Sequence, residues 1–91
     1  MSFKLFYHPD VRKIDIPKLD RRMQERIKRA IKSRLATAPH QYGEPLKRTL
    51  KGYWKLRVGD YRVVFKLSGT EVWIFGIIHR KEIYDQVKHR L

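Results

Sequence analysis

The sequence predicts a small α+β domain in which an antiparallel meander packs against two N-terminal helices. Three observations predict this fold. Apolar residues recur every fourth residue between positions 18 and 36, which is the pattern of one helix face. Three strand-like runs follow position 52, and short turns containing glycine separate them. We therefore expect the element order β-α-α-β-β-β within one domain, residues 1–91.

The N-terminal half predicts one strand followed by two helices. Phe3, Leu5 and Tyr7 occupy alternate positions, as in a half-buried first strand. Pro9 and Pro17 are each placed to open a helix, the first one short. The second helix carries a single apolar stripe that we assign to the core, formed by Leu19, Met23, Ile27, Ile31 and Leu35.

The C-terminal half predicts three strands, with the sequences "YWKLRV", "YRVVFKL" and "EVWIFGII". Only Gly59 and Asp60 separate the first two strands, and glycine at the first central position favours a type II′ turn. The segment 37–52 contains two prolines and two glycines and is predicted to be a long loop, or a loop with one turn of helix. The tail after the last strand has weak helical character.

The short turn also predicts the register of the first hairpin. If Val58 pairs with Tyr61, then Arg57 lies directly opposite Arg62. Lys55 then shares their face of the sheet, which is turned away from the helices. Like charges facing each other across two strands are destabilising. An anion bound between them would remove that repulsion, whereas the alternative is that the long side chains diverge into water.

The last strand is apolar on both faces. Simple alternation places Trp73, Phe75 and Ile77 beside the basic residues. The residues that the same alternation turns toward the helices are Val72, Ile74 and Ile78. An apolar strip on the basic face predicts that a partner polypeptide covers it.

The charge balance predicts a polyanionic partner. There are 22 Lys and Arg residues against 9 Asp and Glu, which gives a formal charge of +13. Nucleic acid is the first candidate because neutralising phosphates releases counterions. An acidic protein is the second candidate and a membrane surface the third.

The composition also limits the location and the kind of site that we expect. The chain has no cysteine, which excludes disulfides and thiolate zinc sites. No signal peptide or apolar run long enough to cross a bilayer is visible, so we expect a cytoplasmic protein without a membrane partner. The carboxylates are scattered and the four histidines lack metal-ligand spacing, so we expect neither a metal nor another cofactor.

A metal-free reaction on RNA needs only groups that this chain contains. The 2′-OH of RNA can attack the adjacent phosphate, provided that the protein positions the strand, moves two protons and neutralises the phosphorane. Arginine suits the phosphorane, and tyrosine or lysine suits proton transfer where neighbouring cations lower the pKa. The candidates for these roles are Lys55, Arg57, Arg62, Arg80 and Tyr84.

Two segments at a characteristic separation carry a family resemblance. "YWKLRVGDYRVVFKL" followed by "IIHRKEIY" resembles the RelE branch of the RelE/ParE toxin superfamily, and the likeness extends over nearly the whole chain. The resemblance implies a RelE-like fold and the toxin of a type II toxin–antitoxin module. It further implies a metal-independent endoribonuclease that cuts mRNA in the ribosomal A site and therefore also contacts rRNA.

The resemblance also implies roles for individual residues. Arg62 and Arg80 would stabilise the phosphate, Tyr84 would act as general base or stack on a base, and Lys55 would assist proton transfer. A second lysine found in some members is replaced here by Tyr53. The residues expected to bind RNA outside the catalytic group are Lys47, Arg48 and Arg57.

A toxin of this family implies a cognate acidic antitoxin, encoded by an adjacent gene. We expect the antitoxin to cover Trp73, Phe75 and Ile77. Two other functions are open at this point. One is inhibition of DNA gyrase, as in ParE-type toxins, and the other is a catalytically inactive module that only binds an antitoxin.

Overall fold

Five strands form one mixed sheet in the computed structural model, which describes residues 2–46 and 52–90. The strands are β1 (Lys4–Tyr7), β2 (Glu44–Pro45), β3 (Tyr53–Val58), β4 (Tyr61–Ser68) and β5 (Glu71–His79). Their order in the sheet is β1-β5-β4-β3-β2. The predicted meander of β3, β4 and β5 is confirmed. The sheet is mixed because β1 lies parallel to β5 at one edge.

The helical segments are more divided than the sequence pattern predicts. A π-helical turn (Val11–Asp15) and a 3₁₀ turn (Ile16–Lys18) precede helix α1 (Arg21–Ala30), which continues into a second π turn (Ile31–Leu35). Helix α2 (Pro39–Tyr42) is a single turn, and helix α3 (Ile83–Arg90) follows the sheet. In the described ranges, every helix is too short or too polar to cross a membrane.

The apolar stripe of α1 and the following turn forms the main core, as predicted. Ile27, Ile31 and Leu35 are almost completely buried. They pack with Leu19 against the face of the sheet that carries Leu56, Val63, Phe65, Val72 and Ile74. Burial of this many aliphatic side chains, at about 25 cal/mol per Å² of apolar surface, is the main stabilising contribution to the fold.

The register of the first hairpin is confirmed. Val58 pairs with Tyr61 and Arg57 pairs with Arg62 across the two-residue turn. Gly59 has a φ of +60°, a conformation that suits glycine and disfavours other residues. The side of the sheet that carries Lys55, Arg57 and Arg62, opposite the main core, is called the basic face below.

Because of a β-bulge in β5, some residues of the last strand lie on the opposite face of the sheet from the one predicted. Val64 pairs with Gly76 but Phe65 pairs with Ile74, so Phe75 is an extra residue on β5. The bulge reverses the alternation beyond that point. The expectation that Ile77 lies on the basic face is wrong, because Ile77 is only 5% exposed and belongs to the main core. Ile78, expected in the main core, lies on the opposite side instead.

Helix α3 covers part of the basic face and forms a second core there. Ile83 and Val87 of α3 pack on Val64 and Ile78 of the sheet, together with Leu46. The expectation that helices cover only one face of the sheet is therefore incomplete. The weak helical signal of the tail reflects a helix whose stability comes from packing on the sheet and not from its own propensity.

A buried ion pair fixes the end of α3. Arg90 donates two hydrogen bonds to the Asp15 carboxylate, with N···O distances of 2.7 and 2.6 Å, and a third to the carbonyl of Phe75 at 2.9 Å. The Ile77 N–H also donates to Asp15, at 2.9 Å. The hydrogen bonds to Asp15 raise the pKa of Arg90 above its ordinary value, although burial acts in the opposite direction. The pair thus satisfies two backbone groups of β5 beside the bulge.

Candidate functional site

Three basic side chains predicted from sequence share one face of the β3–β4 hairpin. Lys55 lies opposite Val64, and Arg57 lies opposite Arg62. Residues directly opposite each other in an antiparallel pair have Cβ atoms roughly 4.5–5.5 Å apart, so the two arginines are immediate neighbours. Their mutual repulsion is a structural cost that a bound anion between them would remove.

Arg62 and Arg80 both contact the turn at the end of this hairpin. Nη1 of Arg62 donates to the carbonyls of Gly59 and Tyr61, at 3.0 and 2.9 Å. The backbone N–H of Arg80 donates to the Asp60 carbonyl at 2.9 Å. The Arg80 Nε lies 3.8 Å from Oδ1 of Asp60. The turn therefore gathers Arg62 and Arg80 at one end of the basic face.

Arg62 keeps most of its guanidinium available for an anion. Both of its described contacts use Nη1, so Nε and Nη2 are the donors that an oxyanion would meet. The Arg80 side chain is about half exposed (53%), and its ion pair with Asp60 is long. A solvent-exposed pair of that length contributes little stability, so a phosphate could displace Asp60 at small cost.

Tyr84 lies on helix α3, which packs on the basic face. Ile83 and Val87 face the sheet, whereas Glu82 and Gln86 line a cavity beside the C-terminal end of β5. Successive residues of an α-helix are rotated by roughly 100°, so Tyr84 lies on the flank opposite Gln86. The Tyr84 side chain is 38% exposed, as a residue that meets a substrate must be.

Lys55 lies on β3, which is flanked by β2 and β4. It is half-buried, with Val64 opposite on β4 and Glu44 opposite on β2. The pairing places the Glu44 carboxylate on the same face of the sheet as Lys55. Sequence reasoning missed Glu44 because β2 is only two residues long and follows a loop.

The other end of the basic face is aromatic. Trp73 stacks on Phe6 with ring centroids 4.5 Å apart, and its indole N–H donates to Glu71. Phe75 contacts Tyr53 edge to face at 5.3 Å. Trp73 is 40% exposed, so an apolar patch of the predicted kind is present. Phe75 is half-buried, and Ile77 is absent from the patch because of the bulge.

Tyr53 occupies the position where some members of the resembled family have a second lysine. Lys66 lies directly across the strand pair from Tyr53, and its Nζ is 5.5 Å from the centroid of the Tyr53 ring. A cation over an aromatic ring is attracted by the ring quadrupole. An ammonium group is therefore present beside this position, although it comes from the neighbouring strand.

Two of the predicted RNA-binding residues, Lys47 and Arg48, lie outside the described residues. Within residues 2–46 and 52–90, His, Asp and Glu side chains form no group of three that could hold a metal ion. The arrangement that the structure does describe is a surface of cations and phenols, which suits binding and polarising a phosphate.

The fold matches that of solved toxin structures. In the toxin–antitoxin complex RelBE2 from Mycobacterium tuberculosis, a chain with 27% sequence identity superposes with a TM-score of 0.81, covering 88% of this chain and 100% of that one. In the RelB–RelE complex from Methanococcus jannaschii, a chain with 23% sequence identity superposes with a TM-score of 0.67. The match covers 89% of this chain and 96% of that one. The fold is that of small toxins from type II toxin–antitoxin systems.

Sequence comparison specifies the family. The model of the ParE toxin of the type II toxin–antitoxin system parDE matches residues 5–84. The chain belongs to this ParE toxin family, within the RelE/ParE superfamily. Toxin RelE3 of Methanocaldococcus jannaschii is 39% identical over 33 residues, which are 36% of this chain and span only 38% of that protein.

Proposed function

We propose that this chain is a metal-independent endoribonuclease toxin that cleaves mRNA in the ribosomal A site. The observation that carries the proposal is the convergence of Arg62 and Arg80 on one turn, with Arg57 directly opposite Arg62. Neighbouring guanidinium groups can donate hydrogen bonds to the negatively charged phosphorane that forms during RNA transesterification. The likeness to chains in solved RelB–RelE complexes supports a RelE-type activity over the rest of the superfamily.

In the proposed reaction, the 2′-oxygen attacks the adjacent phosphorus and the P–O5′ bond breaks. Tyr84 or Lys55 takes the proton of the 2′-OH, and a second group returns a proton to the leaving 5′-oxygen. Arg62 and Arg80 donate hydrogen bonds to the phosphorane oxygens, whose negative charge is greatest in the transition state. The products are a 2′,3′-cyclic phosphate and a free 5′-OH, so no water is consumed in this step.

The proposed partner in the resting state is an acidic antitoxin. Two solved structures that resemble this chain are complexes of a toxin with its antitoxin. Trp73 and Phe75 form the apolar part of the surface that we assign to it, and the surrounding charge attracts acidic residues. The antitoxin would thereby cover the same face on which RNA is cleaved.

The cleavage test uses purified toxin, ribosomes programmed with a defined mRNA, and mapping of the cut ends. We expect Arg62→Ala and Arg80→Ala each to lower the single-turnover rate on the order of 10²-fold, as loss of one oxyanion donor does elsewhere. Tyr84→Phe should lower it by about 10²- to 10⁴-fold if the phenol transfers a proton. The cut ends should carry a cyclic phosphate and a 5′-OH.

Arg21→Ala is the matched control, because Arg21 is an exposed arginine on α1, away from the basic face. It should cleave within about twofold of the wild-type rate. All variants should retain binding to the antitoxin, which shows that they are folded. Absence of cleavage by the wild type, or equal rates for Arg62→Ala and Arg21→Ala, would contradict the proposal.

Inhibition of DNA gyrase is the second candidate, favoured by one observation. The family model that matches residues 5–84 is that of the ParE toxin. ParE-type toxins act on DNA gyrase through protein contacts. A supercoiling assay separates the two functions. Inhibition at a stoichiometric amount of toxin, undiminished in Arg62→Ala, would favour this candidate over RNA cleavage.

A further inference from the structure

A groove lined by arginines lies at the edge of the sheet, beside β3. Its volume is about 230 Å³, and it lies between α1 with its following turn and the end of β3. The side chains that line it are Arg26, Arg29, Ala30, Ser33, Arg34, Arg57 and Val58. These residues are called the arginine groove below. Only Arg57 among them belongs to the basic face.

Helical periodicity explains why the groove is basic. Arg26, Arg29 and Ser33 are spaced by three and four residues, so they form one stripe along α1 and the turn that continues it. A second stripe, made of Arg21, Lys28 and Lys32, runs along a different flank of the same segment. Both stripes are positively charged, but only the first lines the groove beside β3.

Contacts on either side hold the arginines of the groove in place. Arg26 lies over the β3–β4 turn, with Nη1 only 3.0 Å from the position that a Cβ would take on Gly59. The Arg34 guanidinium lies over the ring of Tyr42, 5.7 Å from its centroid. Ordered arginines lose less entropy when they bind an anion than freely rotating ones do.

The groove has an excess of charge that the described part of the chain does not neutralise. None of the residues that line it is acidic. The ion pairs among the described residues involve Asp10, Asp15 and Asp60, and their partners lie elsewhere. Four arginines around one small groove repel each other, so the arrangement is stabilised by an anion.

We propose that the arginine groove binds the phosphodiester backbone of RNA, at a position separate from the proposed cleavage residues. Arg57 lies on both surfaces, so positive charge continues from the basic face around the edge of the sheet into the groove. RNA bound at both places would be held on two sides of the hairpin. The inference extends the proposed function, since it names a second contact with RNA.

The lining favours RNA over an acidic polypeptide. Ala30 and Val58 are its only apolar members, and they are 8% and 4% exposed. A docked peptide needs apolar anchors, which this groove cannot accommodate, whereas Trp73 on the basic face provides such a surface. Guanidinium forks match phosphate oxygens bidentately and carry a permanent charge.

The test measures binding without cleavage. Every variant is made in a Tyr84→Phe background, and its affinity for a short fluorescein-labelled RNA is measured by anisotropy over a range of salt concentrations. The groove variant is Arg26→Gln/Arg29→Gln/Arg34→Gln. We expect it to bind RNA at least about tenfold more weakly at physiological salt. We also expect the slope of log K against log[salt] to become shallower by about 2, as three lost phosphate contacts on a single strand predict.

The matched control is Arg21→Gln/Lys28→Gln/Lys32→Gln, which removes the same charge from the other stripe. It should weaken RNA binding by less than about threefold. A polyglutamate peptide of matched charge serves as the acidic-polypeptide probe, and thermal unfolding confirms that both variants are folded. Equal loss of RNA affinity in the two variants would overturn the groove as a site. Unchanged RNA binding with weaker polyglutamate binding would overturn RNA as its ligand.

The proposal and the proposed function can fail separately. Because binding is measured in a background without Tyr84, the groove stands if its variant loses RNA affinity even where the wild type does not cleave mRNA. Conversely, the groove variant and the control variant could bind RNA equally while mRNA cleavage still depends on Arg62. That result would support the proposed function and would contradict the groove as an RNA-binding site.

Discussion

Gly76 lies at a point where three parts of the molecule meet. It is the residue of the β5 bulge that pairs with Val64. A Cβ on Gly76 would lie 2.7 Å from Cδ1 of Ile78 and 3.1 Å from Nη1 of Arg90. Only glycine allows the strand, the second core and the ion pair to approach this closely.

We therefore expect Gly76→Ala to destabilise the protein by about 1–3 kcal/mol, the usual cost of overpacking a core. Chemical denaturation with tryptophan fluorescence measures the change. Ile78→Val removes the closest clashing atom, so Gly76→Ala should cost roughly 1 kcal/mol less in that background. Additive effects of the two substitutions would show that the space around Gly76 is not what constrains it.

The residues of the site differ in how far sequence alone could place them. The pairing of Arg57 with Arg62 was predictable, because a two-residue turn fixes the register of the hairpin locally. The contact of Arg80 with Asp60 could not be predicted from the sequence, and neither could the contact of Arg90 with Asp15. Each depends on where a separate segment docks, and the second joins residues 75 positions apart.

At the scale of elements, α3 determines the shape of the proposed site. The helix packs on the basic face through Ile83 and Val87, and Tyr84 follows Ile83 on the same helix. Its position depends on a small apolar contact and on the ion pair of Arg90. Loosening the helix should therefore affect activity more than it affects the main core.

Val87→Ala should destabilise α3 by about 1–3 kcal/mol, because the side chain is 2% exposed and its removal leaves a cavity in the second core. Hydrogen exchange of the α3 amides should accelerate by roughly tenfold or more, while that of β4 changes less. The mRNA cleavage rate of Val87→Ala should also fall, because α3 carries Tyr84. Lys88→Ala, at an exposed neighbouring position, is the control. Equal exchange in both variants would show that α3 does not depend on this contact.

The elements that sequence predicted well are those with strong local patterns. The stripe of α1 and the hairpin turn each encode their own geometry. The bulge in β5 escaped prediction, since an all-apolar strand gives no alternation from which a shift could be read. The resulting error placed Ile77 on the wrong face.

At the scale of the whole molecule, the formal charge of +13 opposes compaction. The main core must compensate for this repulsion in the absence of a polyanionic partner. Screening by salt should therefore stabilise the free toxin, although salt weakens its individual exposed ion pairs.

Raising NaCl from low to moderate concentration should stabilise the wild type by about 1 kcal/mol, which corresponds to roughly 4–8 °C in Tm for a domain of this size. The variant Arg21→Gln/Lys28→Gln/Lys32→Gln has three fewer positive charges, so its formal charge falls from +13 to +10. Its Tm should rise less with salt. A fall in the Tm of the wild type with salt would show that local ion pairs outweigh the overall repulsion.

The hydrogen bonds between Asp15 and Arg90 also constrain the order in which the chain acquires its structure. The partners lie 75 residues apart, so the loop that they close includes most of the molecule. During synthesis the pair cannot form until residue 90 has left the ribosome, and until then the bulge of β5 lacks its hydrogen-bond partners. Contacts of such large sequence separation slow folding. The nascent toxin would therefore complete the surface that carries Tyr84 only after residue 90 has left the ribosome.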